Sequence, residues 1–389
     1  MRILQVNKLY YPCVGGVETV ARLFAEQYDS RPGMSVTNLV CKPRGKRETD
    51  VVDGVITHRA RTWRMQFGMP LSLDFFYLFW KLIRETDLIV LHHPFPLAFV
   101  AYCLFGNSKR LVIWYHSDIV RQKLTKLPFE PFLRYGLRQA DAILVSNHTI
   151  IHKSGLLRRY AGKCRVVRFG VDSGRFERAL PDCDTVKEIR GDSGLPLVLS
   201  VGRLVYYKGF SYLIDAMREV SANLLIVGSG PLERTLGSQI LKCGLAAKVR
   251  IRPSVPDLAP YYHACDVFVL ASCEPSEVFG IVQIEAMACG KPVINTSLPT
   301  GVPEVSVDGR SGYTVPIRNA QALSAALNKI LSDKHEYARL SRNAVADVAN
   351  RFTLSTMFTS LDMAIGDTIA AIRRDEEERH ARTLTPVGA

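Results

Sequence analysis

Apolar positions in this chain fall into short unbroken runs: Ile3–Val6, Val36–Cys41, Leu88–Leu91, Leu111–Trp114, Ala142–Val145 and Val166–Phe169. Longer segments between them carry apolar residues at three- and four-residue steps. Unalternated runs of this length suit parallel strands covered on both faces, and the spacers suit amphipathic helices, so the pattern predicts repeated βα units. A stretch rich in Pro, Gly and acidic residues, Gly170–Pro196, breaks the rhythm and marks a domain boundary. The alternation restarts with Leu197–Val201, Leu224–Val227, Val249–Ile251, Val267–Leu270, Val293–Ile294 and Tyr313–Val315. Phe358, Leu361, Ile365, Ile369 and Ile372 then form the apolar stripe of a last helix. The expected organisation is a first domain over 1–185, a second over 186–351, a helix over 352–373 and a charged, frayed tail over 374–389 that includes Asp375–Glu378. Two doubly wound sheets in tandem bring ligands to the carboxyl ends of their strands, so a central cleft is expected between two Rossmann-like domains.

The densest chemistry follows the run Val267–Ala271. Glu277 falls in the turn after that strand, Ile281, Ile284 and Ala288 recur at helical spacing, and Gly290-Lys291-Pro292 supplies a stop. A helix is therefore expected from near Gly280, with Glu285 roughly two turns in. Its first amides and positive dipole end suit a diphosphate, and Phe279, Gly280 and Ile281 form the backbone that the ligand approaches. A carboxylate beside such a site would repel phosphate but accepts hydrogen bonds from two adjacent hydroxyls, which gives Glu285 a ribose and Glu277 a sugar. Two glutamates at this spacing alone are ordinary surface residues; the run that follows them, through Gly301-Val-Pro-Glu304 to Asp308-Gly-Arg-Ser-Gly312, makes the segment specific.

Arg203 and Lys208, in Val201-Gly-Arg-Leu-Val-Tyr-Tyr-Lys-Gly209, follow the first strand of the second half. Negative charge grows on a departing β-phosphate as a glycosidic bond to a nucleoside diphosphate breaks. Fixed cations there stabilise the transition state more than the ground state, by about 2–4 kcal/mol each. Gly15 and Gly16 follow the first strand of the chain and open a helix, whose first turn carries Glu18 as a dipole-compatible charge. His116 and Asp118 end another strand of the first half, as do His92 and His93, which are read as cleft lining.

Taken together, the segments around Gly15-Gly16, Arg203–Lys208 and Glu277–Glu285 resemble the group 1 retaining glycosyltransferases, with their two-domain GT-B fold. The resemblance implies that the Gly15-Gly16 loop lines the cleft beside donor diphosphate and acceptor, that His116 contacts the transferred sugar, and that Gly228 and the segment Arg252–Pro256 surround the base. It also implies that the last helix crosses back to the first domain and that transfer proceeds with retention and without a metal; Asp118, beside His116, is read as orienting nearby groups or binding acceptor. Catalysis would then rest on His116, Glu277, Arg203 and Lys208, the departing diphosphate helping to deprotonate the acceptor. The runs Tyr115–Ile119, Phe169–Asp172 and Val201–Gly209 are most similar to members that build bacterial surface polysaccharides from GDP-mannose on a lipid-linked saccharide. Departures are Arg168-Phe169, where many relatives have Pro-Asn, and Arg31–Ser35, where a Gly-His pair often stands; neither touches the donor motifs.

Composition changes this picture in one respect. The chain has 389 residues, with 47% hydrophobic and 22% charged, as in a globular enzyme. Its net charge of +13 lies wholly in residues 1–190, with 30 Lys and Arg against 17 Asp and Glu. A one-sided basic surface implies an anionic partner. With Phe75–Ile83 in the same half and no nucleic-acid motif, an anionic bilayer at the inner face of the cell membrane is the expected partner, not nucleic acid. The segment also suits a buried core helix. Nine dispersed cysteines without C-x-x-C pairs read as reduced thiols, and neither a metal site nor another cofactor is expected. The polar N-terminus and the lack of an 18-residue apolar run predict a cytoplasmic, peripheral protein. Alternatives are a UDP-sugar donor, a GT-B-like epimerase or phosphorylase, and a non-catalytic nucleotide-sugar-binding protein.

Overall fold

The computed structural model describes residues 1–389 except 14, 67–68, 119–128, 178–182 and 385–389. Ile119 and the last five residues of the expected tail therefore lie outside the described residues. The chain divides into two units, Met1–Val167 with Thr359–Ala389, and Arg168–Phe358.

The first unit is built on an eight-stranded sheet. Its strands are β1 (Arg2–Val6), β2 (Ser35–Cys41), β3 (Glu48–Val52), β4 (Val55–Ala60), β7 (Leu88–His93), β8 (Arg110–Tyr115), β9 (Ala142–Val145) and β10 (Cys164–Val166), and a separate ribbon pairs β5 (Arg64–Gln66) with β6 (Met69–Leu71). The order is β10-β9-β8-β7-β1-β2-β4-β3. All pairs are parallel except β3 with β4, an antiparallel edge hairpin that the expected all-parallel pattern missed. Val52 pairs with Val55 across Asp53-Gly54, whose φ values of 50° and 87° give a type I′ turn. An Asp-Gly pair between short β-branched runs is the signal that reveals it. β10 ends at Val166, so the expected strand Val166–Phe169 sits two to three residues too far along.

The second unit holds β11 (Leu197–Val201), β12 (Asn223–Val227), β13 (Val249–Arg252), β14 (Val267–Val269), β15 (Val293–Thr296) and β16 (Gly312–Val315). All are parallel, in the order β13-β12-β11-β14-β15-β16. This is the 3-2-1-4-5-6 winding of a nucleotide-binding sheet. Val198, Leu224, Ile226, Val267 and Val269 fill one face against Phe210, Leu213 and Ile214 of the helix Phe210–Ala216.

Residues 168–190 join the second unit, ahead of the 185/186 boundary suggested by composition. Phe176 stacks edge-on against Tyr262, and the Phe176 carbonyl is bonded to the His263 ring. Arg190 pairs with Asp266 and donates to the Ala264 carbonyl. At the other end one helix runs from Leu354 to Leu384, so the tail expected to fray after 373 is helical for eleven further residues. Its Glu and Arg residues are strong helix formers, and Asp375 pairs with Arg110. Within the first unit, Asp362 of this helix receives two bonds from the Arg31 guanidinium, at 2.7 and 3.0 Å, and one from Tyr28 at 2.5 Å. All nine cysteines are free thiols, four buried and five half-buried.

Candidate active site

The second sheet reverses its winding between β11 and β14, and in sheets of this kind ligands bind at the carboxyl ends of the strands beside such a reversal. The β11 loop turns at Gly202 (φ 152°), passes Arg203, and folds into a 3-10 turn over Tyr206–Lys208 that ends at Gly209 (φ 67°). A Cβ on Gly209 would stand 2.0 Å from the Ala271 carbonyl oxygen, so only glycine lets this loop meet the loop after β14. Across that contact Lys208 Nζ lies 2.5 Å from Glu277 Oε2, with both side chains 11% exposed. Ser272 Oγ donates to the same oxygen at 2.8 Å. Both contacts fall on Oε2, which leaves Oε1 with capacity for hydroxyl donors. Arg203 is exposed at the start of the loop, and no ion pair to it occurs among the described residues.

The helix Ile281–Ala288 begins, as expected, immediately after Gly280, whose φ of 75° and close approach to Leu270 both call for glycine. Beneath the turn lies a buried amide pair. Gln283 Nε2 donates to the Phe279 carbonyl at 3.0 Å, and Asn295 Nδ2 donates to Gln283 Oε1 at 3.0 Å. Both side chains are fully buried, so the Phe279–Ile281 backbone is held by bonds with no competing water. The helix ends in a Schellman motif, with Gly290 N–H bonded to Met287 and Lys291 N–H to Ala286. Glu285 is the fifth residue of this helix, which places it one turn in rather than the two expected. Tyr262 Oη donates to Glu285 Oε2 at 2.5 Å. Burial raises the Glu285 carboxyl above its ordinary range, and the Tyr262 bond opposes that shift.

Gly228 is set by packing between loops, since a Cβ there would stand 1.9 Å from the Gly202 carbonyl oxygen. The β12 turn therefore supports the β11 turn that carries Arg203 and Lys208.

In the first unit the winding reverses between β1 and β7. Gly15 is the extended N-cap of the helix Gly16–Asp29, and the Glu18 carboxylate folds back to 2.4 Å from where a Gly15 Cβ would stand. His116 follows β8, its backbone N–H bonded to the His93 carbonyl. His92 Nδ1 and His116 Nε2 are 2.8 Å apart, with nearly parallel rings 5.1 Å between centroids. Burial lowers both histidines: His92 to about 3, and His116 well below its usual value. Asp118 Oδ1 accepts from Tyr115 Oη at 2.5 Å and Ser154 Oγ at 2.9 Å, which makes it an anchor of the strand end.

Residues 184–347 match the family described as glycosyl transferases group 1, and residues 14–175 match glycosyltransferase family 4. The D-rhamnosyltransferase WbpZ of Pseudomonas aeruginosa is 30% identical over 357 residues, covering 91% of this chain and 92% of that protein. The chain belongs to the group 1 glycosyltransferases. Escherichia coli O-antigen chain mannosyltransferase C is also 30% identical, over 92% of this chain and 96% of its own length. Anabaena HepE, solved in complex with UDP-glucose, superposes with a TM-score of 0.77 at 20% identity, covering 95% of this chain and all of that one. That likeness establishes a GT-B fold for this glycosyltransferase.

Sequence reasoning missed Tyr262, Ser272, His92 as a partner of His116, and the Gln283–Asn295 pair. A buried carboxylate demands a donor, so Glu285 implied a residue like Tyr262 without saying which. Nothing along the chain signals a contact between residues 23 positions apart.

Proposed function

We propose that this glycosyltransferase moves mannose from GDP-mannose, with retention, onto a lipid-linked saccharide during assembly of a bacterial surface polysaccharide such as O-antigen. The observation that carries the reading is the Lys208–Glu277 pair at the switch point of a nucleotide-binding sheet, with Glu277 in the loop that leads into the helix carrying Glu285. In this reading Glu285 receives the ribose hydroxyls, Glu277 Oε1 the hydroxyls of the sugar, and Lys208 with Arg203 the leaving diphosphate. His116 meets the transferred sugar, and Gly15, Gly16 and Gly228 bring backbone close to the donor. The donor assignment is supported by two relatives whose names specify mannose and D-rhamnose, sugars of one configuration that differ at C6. No metal is required in this scheme. A thermal-shift titration with GDP, UDP and ADP and their sugar adducts tests the reading, since a ligand of the folded state raises Tm. Selective response to GDP-mannose is expected. A response confined to UDP-sugars, the donor class bound by HepE, would replace the donor and keep the class.

The acceptor reading places the first unit on an anionic bilayer. The helix Leu73–Ile83 buries Phe75, Leu78, Phe79 and Ile83 and exposes Leu73, Tyr77 and Trp80 on the opposite stripe. Arg47 lies over the Tyr77 ring at 4.8 Å and Arg84 over Trp80 at 3.8 Å. Trp63, Met65 and Leu71 of the adjoining ribbon are exposed as well. Aromatic rings with cationic neighbours suit the headgroup region. No helix among the described residues is long and apolar enough to cross a membrane, so docking would be peripheral. Two of the three tryptophans, Trp63 and Trp80, lie in this patch, whereas Trp114 is fully buried. Vesicles of phosphatidylglycerol and phosphatidylcholine should therefore shift tryptophan emission to the blue. Unchanged emission on binding, or no binding, would remove the patch from the proposal.

A further inference from the structure

His92 lies in β7 with 1% of its surface exposed, its ring nearly parallel to those of Trp114 and His116, whose centroids lie 5.6 and 5.1 Å away. The 2.8 Å separation of His92 Nδ1 and His116 Nε2 is a hydrogen bond, and it needs one proton. Two uncharged imidazoles offer two ways to place it. If His116 Nε2 donates, His92 must carry its own proton on Nε2, which has no hydrogen-bond partner among the described residues and is buried. If His92 Nδ1 donates, Nε2 is a bare lone pair. Buried N–H groups without acceptors are the rarer and costlier orphan, so the second arrangement is favoured. Burial keeps both rings neutral and sustains this one-proton contact.

We infer that His92 is a positioning residue that fixes His116 in the tautomer protonated on Nδ1, so that His116 serves the reaction as a neutral hydrogen-bond donor. The inference rests on the reading that His116 meets the transferred sugar. A donor of this kind bonds a sugar hydroxyl oxygen without adding charge to the site. It also sets His116 apart from a general base, because the nitrogen holding a free lone pair is already engaged by His92.

Long-range proton–nitrogen correlation spectra of the full chain, labelled at histidine nitrogen, test the tautomer directly. The His116 signals are identified by their loss in His116→Asn. Protonated Nδ1 and unprotonated Nε2 are expected; protonated Nε2, or an imidazolium, at neutral pH overturns the inference. This readout requires no sugar transfer, so it stands apart from any failure of the donor assignment. Two variants extend it to function. His92→Phe keeps an aromatic ring beside Trp114 and deletes the donor, whereas His92→Asn places an amide N–H where Nδ1–H stood. With both variants folded by thermal melt, kcat should fall roughly tenfold or more in the Phe variant with little change in donor KM, because the wrong tautomer is then populated. The Asn variant should recover most of the loss, and equal activity in the two would overturn the role of His92.

Discussion

Lys208 Nζ and Glu277 Oε2 are 2.5 Å apart, which makes the cation proposed for the leaving group and the carboxylate proposed for the sugar each other's counter-ion. Removing one partner also leaves the other half-desolvated and unpaired, so the two residues are coupled in stability as well as in chemistry. Lys208→Ala should raise the barrier by about 2–4 kcal/mol and lower Tm. The double variant Lys208→Ala/Glu277→Ala should be less destabilised than the sum of the single changes. A double-mutant cycle on Tm and on kcat measures both, and strict additivity would mean that the pair is not coupled.

Tyr262→Phe removes the hydroxyl donor from Glu285 while keeping the ring that packs on Phe176 and Phe268. Leaving that carboxylate without its donor should cost roughly 1–3 kcal/mol. It should also move the Glu285 pKa further up, because the bond that opposes burial is gone. Calorimetric titration of nucleotide at pH 5 and pH 7.5 should show weaker binding in the variant, with the larger deficit at the lower pH, where more of its Glu285 is protonated.

Acid should destabilise the first unit through its buried histidines. His92 sits near 3 in the folded chain, His116 is also lowered, and an unfolded histidine titrates near 6.5. Between those values the unfolded chain binds more protons, so the contribution of the neutral rings is whole above about pH 6.5 and is lost as pH falls towards 3. Melting curves from pH 8 to pH 4 should show Tm dropping below about 6.5. His92→Phe should show a shallower drop.

Asp362 ties the long C-terminal helix to Arg31 and Tyr28. Asp362→Ala leaves two donors without their acceptor at a partly exposed site, and should destabilise by about 1–2 kcal/mol without lowering kcat at temperatures well below Tm. Urea titration followed by far-UV dichroism measures the loss. An unchanged midpoint would show that the helix is held by its apolar stripe alone.

Much of this protein could be read from its sequence, for physical reasons. Unalternated runs such as Val198–Val201 and Val267–Ala271 are buried on both faces, so their strand character is written in composition. Gly209, Gly228 and Gly280 announce close backbone approaches, and Lys208 and Glu277 fall in the loops after β11 and β14, as their spacing from the apolar runs implies. Contacts across the fold were not legible. Phe176 and Arg190 belong to the second unit through partners some 75–90 residues away, which no local composition shift records. The β3–β4 hairpin was legible through Asp53-Gly54 and was overlooked because βα alternation dominates the surrounding pattern.

The Arg31–Asp362 clasp joins residues 331 positions apart within one unit. During synthesis at roughly 5–20 residues per second, on the order of tens of seconds separate the emergence of its two halves. The second unit, contiguous in the chain, has all its residues before the first does. The nascent first unit must therefore wait with its docking face for the Leu354–Leu384 helix uncovered, and a segment made only after the whole second unit is the one that covers it.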